Sequence, residues 1–195
     1  MTAQTQTDQR DQRDIVDELI TDHREALQLL ARIPVSVKPD EQRELADIAI
    51  AEVVRHSVAE ETYVYPAMRE YLPDGEDLVN HDIEEHDELE KIMKELEKTD
   101  ASDPAFAGLV HKMSDALRHH AQDEEANQFP RLRERVSHEQ LVELRRKVDQ
   151  AKRRAPTRPH PDSPNSELFH KIVGPGVGLV DRARDKLTGR TTTTK

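Results

Sequence analysis

HSVAEETYVYP at residues 56–66 and HAQDEEANQFP at residues 120–130 follow one spacing: a histidine, three residues, two glutamates, four residues and a proline. Three explanations are open. The repeat is a duplication that carries no chemistry, or a coincidence in a Glu-rich chain, or a pair in which each copy supplies half of a metal site. The surroundings of the histidines decide between them.

The composition indicates long amphipathic helices rather than a sheet. Apolar residues make up 34% of the 195 residues and charged residues 35%, with only three Phe and three Tyr. The absence of Cys excludes disulfides, Cys-ligated zinc, iron–sulfur clusters and thiol nucleophiles. The first residues lack the apolar core of a signal peptide, and no apolar run is long enough to span a bilayer. We therefore expect a cytoplasmic protein that does not associate with membranes.

The charge is distributed unevenly along the chain. Residues 151–195 contain ten Lys/Arg and four Asp/Glu, a net charge of +6, and the remainder contains nineteen and thirty-six, a net charge of −17. An acidic body repels phosphates, so we expect no nucleic-acid partner. The basic tail could contact an anionic partner, although such tails are more often only solvated.

Helical periodicity predicts an all-α, up-down-up-down antiparallel four-helix bundle followed by a short fifth helix. The pattern places these helices at about 8–33, 40–71, 76–98, 104–134 and 138–153. We expect Asp40 and Asp103 to be N-caps and Ser137 with Gln140 to form a capping box. Pro66 and Pro130 should end or kink their helices.

The domain boundary is predicted after the fifth helix. Residues 1–153 would form the bundle, and residues 154–195 a Pro-rich extended linker and basic tail. This tail should be largely disordered, apart from a possible short helix near residues 180–187 that docks on the bundle.

Four of the ten histidines lie on apolar helical faces: His23, His56, His86 and His120. The others have charged neighbours one turn away or lie beyond the bundle, and we do not expect them to be ligands: His81, His111, His119, His138, His160 and His170.

The spacing of the inward histidines repeats as well. His23 precedes His56 by 33 residues, and His86 precedes His120 by 34. Two packed helical hairpins would therefore bring four imidazoles together with Glu60 and Glu124. Six polar side chains at one depth of a small core are costly unless something satisfies them. A hydrogen-bonded polar layer could do so, but a pair of metal ions does so more directly.

Imidazole and carboxylate ligands without thiolate suit iron or manganese, and less often zinc. Ferritin-like di-iron bundles use Glu-x-x-His, whereas each motif here places His four residues before Glu. This order disfavours a ferritin-like oxidase.

In the arrangement of these four histidines and two glutamates, about residues 12–135 resemble the hemerythrin-like HHE cation-binding domain. The resemblance implies a four-helix bundle around a non-haem, carboxylate-bridged di-iron centre that meets O2, H2O2 or NO, or that senses iron. It implies that the imidazoles of His23, His56, His86 and His120 bind iron and that Glu60 and Glu124 bridge the two ions.

The sequence departs from the oxygen-carrying members. Those have a second His one turn after the first on the third helix, where this chain has Glu90, and His-x4-Asp on the fourth helix. The candidate ligand set is thus nearly symmetric, which disfavours reversible O2 carriage. Tyr63, seven residues after His56 and on the same helical face, is our candidate for assisting catalysis.

The residues beside the ligands have predicted supporting roles. Glu61 and Glu125 should make outer contacts, because each is rotated by about 100° from its bridging neighbour. Glu52 and Asp82 are candidate partners of the imidazole N–H groups.

We therefore predict a di-iron protein that binds or reduces O2, H2O2 or NO, with catalase-like peroxide decomposition as one version. An alternative is a sensor of iron or of a diatomic gas that does not turn over and signals through its tail. A metal-free structural protein is the third possibility. Whether the chain is an enzyme is left open by its sequence.

Overall fold

A computed structural model describes residues 13–161 and 174–193, and within these ranges the chain is helical with no β-strand. The helices are α1 (Ile15–Arg32), α2 (Pro39–Ala59), α3 (Tyr65–Tyr71), α4 (Gly75–Lys98), α5 (Pro104–Asp123), α6 (Phe129–Arg135), α7 (His138–Arg154) and α8 (Gly174–Thr188). A 3-10 turn spans Ile33–Val35, and two π-helical turns span Glu60–Val64 and Glu124–Gln128.

The helix starts follow from their capping residues. Asp14 forms a capping box with Asp17, so α1 begins at Ile15. The predicted helix start near residue 8 is therefore wrong at residues 13 and 14, and residues 8–12 lie outside the described ranges. The N-cap of α2 is Lys38 rather than Asp40, because Pro39 occupies the first helical position. The caps at Asp103 and Ser137 are confirmed.

The predicted four-helix bundle is confirmed. Helices adjacent in sequence pack as hairpins, α1 with α2 and α4 with α5, and the bundle is closed by contacts of α1 with α5 and of α2 with α4. Helix α7 lies across α1 and α2. No helix in the described ranges is both long and apolar enough to cross a membrane.

Each proline of the repeated motif follows a π-helical turn instead of ending its helix. The N–H of Tyr65 donates to the Glu60 carbonyl, and the N–H of Phe129 donates to the Glu124 carbonyl, five residues back in both cases. Pro66 and Pro130 have no N–H, and in a regular helix their rings would clash with the carbonyl one turn earlier. The extra residue of a π turn relieves this conflict, so helical backbone continues past each proline.

The core consists of two apolar clusters with a polar layer between them. One cluster is built around Leu30, Ile50, Met93 and Met113. The other is built around Leu19, Tyr65, Met68 and Phe129, with Leu141 and Val148 of α7. On α1, α2 and α4, the inward histidine separates the residues of one cluster from those of the other. On α5, His120 follows the residues of the first cluster, and those of the second begin at Phe129 of α6.

The segment after α7 packs on the bundle. Residues 155–159 are buried, and Arg158 forms ion pairs with Asp185 of α8 and Glu97 of α4. This part of the predicted linker is therefore a buried strap, because Arg158 finds carboxylate partners on both sides. Helix α8 contains the short helix expected near residues 180–187. The rest of the linker, residues 162–173, lies outside the described ranges.

Candidate metal centre

Four imidazoles from four helices meet in the polar layer: His23 of α1, His56 of α2, His86 of α4 and His120 of α5. Each is at most 3% exposed. Their Nε2 atoms face one another in two pairs. The distance is 3.0 Å between His23 and His56, and 3.2 Å between His86 and His120. Each pair therefore joins the two helices of one hairpin.

Two fully buried carboxylates lie between the imidazole pairs. Glu60 Oε2 is 3.0 Å from His56 Nε2 and 3.5 Å from His86 Nε2. Glu124 Oε2 is 3.4 Å from His23 Nε2 and 3.5 Å from His120 Nε2. Each carboxylate thus reaches imidazoles of both hairpins. We call these six side chains the ligand cage.

The outer nitrogen of every imidazole faces another carboxylate. His23 Nδ1 lies 2.9 Å from Glu125 Oε1 and His56 Nδ1 lies 3.2 Å from Asp22 Oδ2. We call Glu125 and Asp22, together with Glu61 and Glu85, the outer carboxylates.

The second hairpin repeats the arrangement of the first. His86 Nδ1 lies 2.8 Å from Glu61 Oε1, and His120 Nδ1 lies 2.9 Å from Glu85 Oε2. All four imidazoles are therefore oriented by a carboxylate on the side away from the cage.

This pairing fixes the chemistry of the cage. A carboxylate only accepts hydrogen bonds, so in a neutral imidazole the proton belongs on Nδ1 and Nε2 carries a lone pair. In the described part of the chain, both oxygens of Glu60 and both of Glu124 lack a hydrogen-bond donor. Their short contacts with Nε2 are therefore contacts between acceptors. Buried acceptors without donors must be compensated by positive charge, which either metal ions or added protons supply.

The spacing of the ligand atoms in the cage suits metal ions. Two imidazole nitrogens bound to one ion at about 2.1 Å and at right angles lie about 3.0 Å apart, close to both Nε2–Nε2 distances. One ion would be bound by His23 and His56 and the other by His86 and His120. Glu60 and Glu124 would be shared between them. His23, His56, His120 and Glu124 offer ligand atoms within 4.8 Å of one another, as do Glu60, His86 and His120.

Without a metal, protons compensate the buried carboxylates. Burial lowers the pKa of His56, but the charge of Glu60 and the hydrogen bond to Asp22 outweigh it and raise the pKa to about 10. The pKa of His86 is raised to about 9, since Glu60 and Glu61 outweigh burial. Burial and the charge of Glu60 raise the pKa of Glu124 to about 8. Metal binding must therefore displace protons.

One aromatic position makes the cage asymmetric. The Tyr65 hydroxyl lies 3.2 Å from His86 Nε2, and its ring stacks on that imidazole. The equivalent residue of the second motif, Phe129, stacks on His23 and has no hydroxyl. Burial and nearby carboxylates raise the pKa of Tyr65 well above 10, so its hydroxyl keeps its proton.

Sequence reasoning missed Tyr65 as a phenol that contacts the cage, and the role expected for Tyr63 stays a prediction. The prediction assumed a regular helix of 3.6 residues per turn after His56, and the π turn Glu60–Val64 changes which residues face inward. Tyr63 is half-buried and packs against the apolar cluster around Met68.

The outer roles of Glu61 and Glu125 are confirmed, whereas the two predicted N–H partners were wrong. Glu52 pairs with Arg55, and Asp82 accepts a hydrogen bond from Gln128. Sequence reasoning missed the actual partners, Asp22 and Glu85. A signal was present, because each of them immediately precedes an inward histidine.

The other histidines of the bundle are exposed, as expected. The exposed side-chain fraction is 55% for His81, 79% for His111 and 77% for His119, and His138 is exposed as well. His160 pairs with Asp181 of the tail, and His170 lies outside the described ranges. Glu90, where oxygen carriers have a further histidine, lies beside the backbone N–H of His160 at 3.5 Å.

A small cavity adjoins the cage on the side of His23 and His56. Its volume is about 20 Å³, and its walls include Asp22, Glu52 and Leu117. A water molecule occupies about 10–15 Å³ by the same measure, so only a very small molecule fits.

Two known proteins are similar to this chain in sequence. The chain is 26% identical over 174 residues to an uncharacterised hemerythrin-like protein of Schizosaccharomyces pombe, covering 89% of this chain and 86% of that protein. It is 25% identical over 138 residues to a DNA nickase of Nostoc sp., covering 71% of this chain but only 39% of the nickase. No solved structure matches it significantly.

The family comparison covers the whole cage. The hemerythrin HHE cation binding domain matches residues 14–132, which include all six residues of the ligand cage. This match spans more than half of the chain and confirms the resemblance seen in the sequence. The chain therefore belongs to the hemerythrin HHE cation binding domain family.

Proposed function

We propose that the chain is a non-haem di-iron protein that binds or reduces O2, H2O2 or NO. The observation that carries the proposal is the ligand cage itself. Four Nε2 lone pairs and two carboxylates without hydrogen-bond donors face one another, while every Nδ1 is committed to an outer carboxylate. Among common metals, iron suits a mixture of imidazole and carboxylate, and manganese or zinc are the less favoured occupants.

Two iron ions, when bound, supply redox changes of one electron each and Lewis acidity toward a small ligand. The chain contributes orientation and the exclusion of water. The outer carboxylates fix the imidazole rings, and apolar clusters lie on both sides of the polar layer. The adjoining cavity admits only a molecule of a few atoms, which favours diatomic ligands and peroxide over larger substrates.

Tyr65 is an acid that contacts the cage without being one of its six ligands. Its hydroxyl is fully buried beside His86 Nε2, the nitrogen that would bind the metal. With that lone pair occupied, the hydroxyl proton is available to a ligand bound nearby. This position suits hydrogen bonding to peroxide, and it exists on one side only, because Phe129 occupies the other.

We propose further that the protein acts in the cytoplasm on small molecules and not on nucleic acid. The net charge of −17 over residues 1–150 repels phosphate backbones. The similarity to a DNA nickase includes only 39% of that protein.

A sensor that does not turn over is the second candidate, and the packing of the tail favours it. The Thr192 carbonyl accepts a hydrogen bond from Arg55, one residue before His56. The strap contacts α4 through Lys94, which donates to the Pro159 carbonyl. A change at the cage could therefore alter how the tail packs. Limited proteolysis with and without iron tests this, since equal cleavage of the tail in both states would contradict it.

The main proposal is tested by spectroscopy and turnover on the iron-loaded protein. We expect a charge-transfer absorption that azide perturbs, and consumption of peroxide or NO. Simultaneous His56→Ala and His120→Ala substitution should abolish both. Simultaneous His111→Ala and His138→Ala substitution, which removes two exposed imidazoles, is the matched control and should change neither. An iron-loaded protein that neither binds azide nor consumes any of the three ligands would refute the proposal.

A further inference from the structure

A basic cleft lies outside the ligand cage, where α7 meets α1, α2 and α8. Arg145, Asp149, Lys152 and Arg153 follow one another at helical spacing, so they share one face of α7. The cleft has a volume of about 530 Å³, within the range of small-molecule sites.

The charge of this cleft is opposite to that of the bundle. Six cationic side chains and three acidic ones line it, whereas residues 1–150 together carry −17. The cations come from three helices, α2, α7 and α8, and from the segment before α1: Arg13, Arg55, Arg145, Lys152, Arg153 and Arg182. A local excess of positive charge on an acidic protein attracts anions.

Arg145 lacks adequate partners of its own. The residue is only 7% exposed, and its ion pair with Asp149 is as long as 3.9 Å. Within the described ranges, the buried Nε has no hydrogen-bond acceptor. The residue lines the cleft, so an oxyanion there can accept charge-assisted hydrogen bonds from the end of its guanidinium.

We propose that the basic cleft binds a small phosphate-bearing anion, with Arg145 as its principal donor. A guanidinium presents paired donors that match the oxygens of phosphate, which an ammonium group does not. Arg153 and Arg182 add positive charge at the rim. The volume exceeds what inorganic phosphate needs, so pyrophosphate or the diphosphate of a nucleotide fits the cleft better.

The cleft also reaches the ligand cage through one side chain. Lys152 Nζ donates to both oxygens of Asp22, at 2.6 Å and 2.8 Å, and Asp22 orients His56. An anion that attracts Lys152 would weaken its contact with Asp22. Anion binding should then alter the metal bound by His56. This coupling rests on the proposed function, whereas the anion site itself does not.

Titration calorimetry of the full-length protein with pyrophosphate at low salt tests the site. Arg145→Ala should raise the dissociation constant about ten- to a hundred-fold, since it removes charge-assisted hydrogen bonds. Arg146→Ala is the matched control, because Arg146 is exposed and pairs with Glu143. It should leave binding unchanged. Arg153→Ala, at an exposed position in the cleft, should weaken binding as well and does not depend on the folding of the buried Arg145→Ala variant.

Further ligands separate the possible sources of phosphate. A nucleoside diphosphate that binds like pyrophosphate, while the nucleoside alone does not, would show that phosphate is what is recognised. The proposal is overturned if pyrophosphate does not bind, or if Arg146→Ala weakens the binding of pyrophosphate as much as Arg145→Ala does. It is also overturned if a short single-stranded oligonucleotide binds and pyrophosphate does not. Failure of the coupling alone, with pyrophosphate bound but the iron spectrum unchanged, would contradict the link through Lys152.

Discussion

Replacing Glu61 by alanine should weaken the binding of one of the two proposed metal ions and leave the binding of the other nearly unchanged. Glu61 Oε1 accepts the Nδ1 proton of His86 at 2.8 Å, and its side chain is 5% exposed. Without this acceptor, the proton can move to Nε2, the nitrogen that must bind the metal. Loss of such a partner typically costs ten- to a hundred-fold in affinity, or about 1.4–2.7 kcal/mol.

Glu125 is the equivalent residue at His23 and provides a graded comparison. Its side chain is 36% exposed, so after Glu125→Ala water can accept the His23 proton. We expect the metal affinity to fall about ten-fold in Glu125→Ala and nearer a hundred-fold in Glu61→Ala, where the replaced side chain is buried. Glu70→Ala, at an exposed position further along the same helical segment, should have no effect.

Anaerobic competition between the protein and a chromophoric chelator for Fe(II) measures these affinities. Glu61→Ala should give one weakened and one nearly unchanged site. The reasoning is refuted if Glu61→Ala binds iron as Glu70→Ala does, or if Glu125→Ala causes the larger loss.

Four further substitutions have expected outcomes. Tyr65→Phe should reduce peroxide consumption at least ten-fold while costing only about 0.5–1.5 kcal/mol of unfolding free energy, measured by turnover and by urea denaturation. Burial raises the pKa of Asp14, but hydrogen bonds from Arg133 and the backbone lower it overall below 3.8. Its stabilising effect is therefore complete above that value and lost as the pH falls through the folded-state pKa, and Asp14→Asn should flatten the acid limb of stability against pH. Gly75→Ala should destabilise the protein by about 1–3 kcal/mol, because a Cβ there would overlap the backbone of α3. Gly108→Ala, where a Cβ meets open space, should stabilise it by about 0.5–1 kcal/mol in thermal unfolding.

The bundle and the cage histidines could be predicted because both depend on helical periodicity. A face that is apolar for several turns must turn inward, and a histidine on that face turns inward with it. The repeat of 33 and 34 residues then places the four imidazoles at one depth. These inferences need only a regular helix and short connections.

The details that escaped prediction depend on irregular backbone or on contacts between helices. The π turn after Glu60 brings Tyr65 to the cage, and a regular-helix calculation selects Tyr63 instead. Asp22 and Glu85 orient imidazoles on neighbouring helices, which no pattern within one helix shows. The packing of the strap depends on Arg158 meeting carboxylates far away in the sequence.

The structure now explains why the motif is written twice and why each copy contains two glutamates. The first glutamate of each pair enters the ligand cage. The second orients a histidine of the other hairpin, Glu61 for His86 and Glu125 for His23. Each copy therefore supports both hairpins, and neither hairpin has a complete site alone.

The stoichiometry of anaerobic Fe(II) binding tests the central claim most directly. Titration of the metal-free protein should show two ions per chain, and simultaneous His86→Ala and His120→Ala substitution should leave one, bound through His23 and His56. Binding of no iron, or of a single ion by the unmodified chain, would contradict a cage built for two metals.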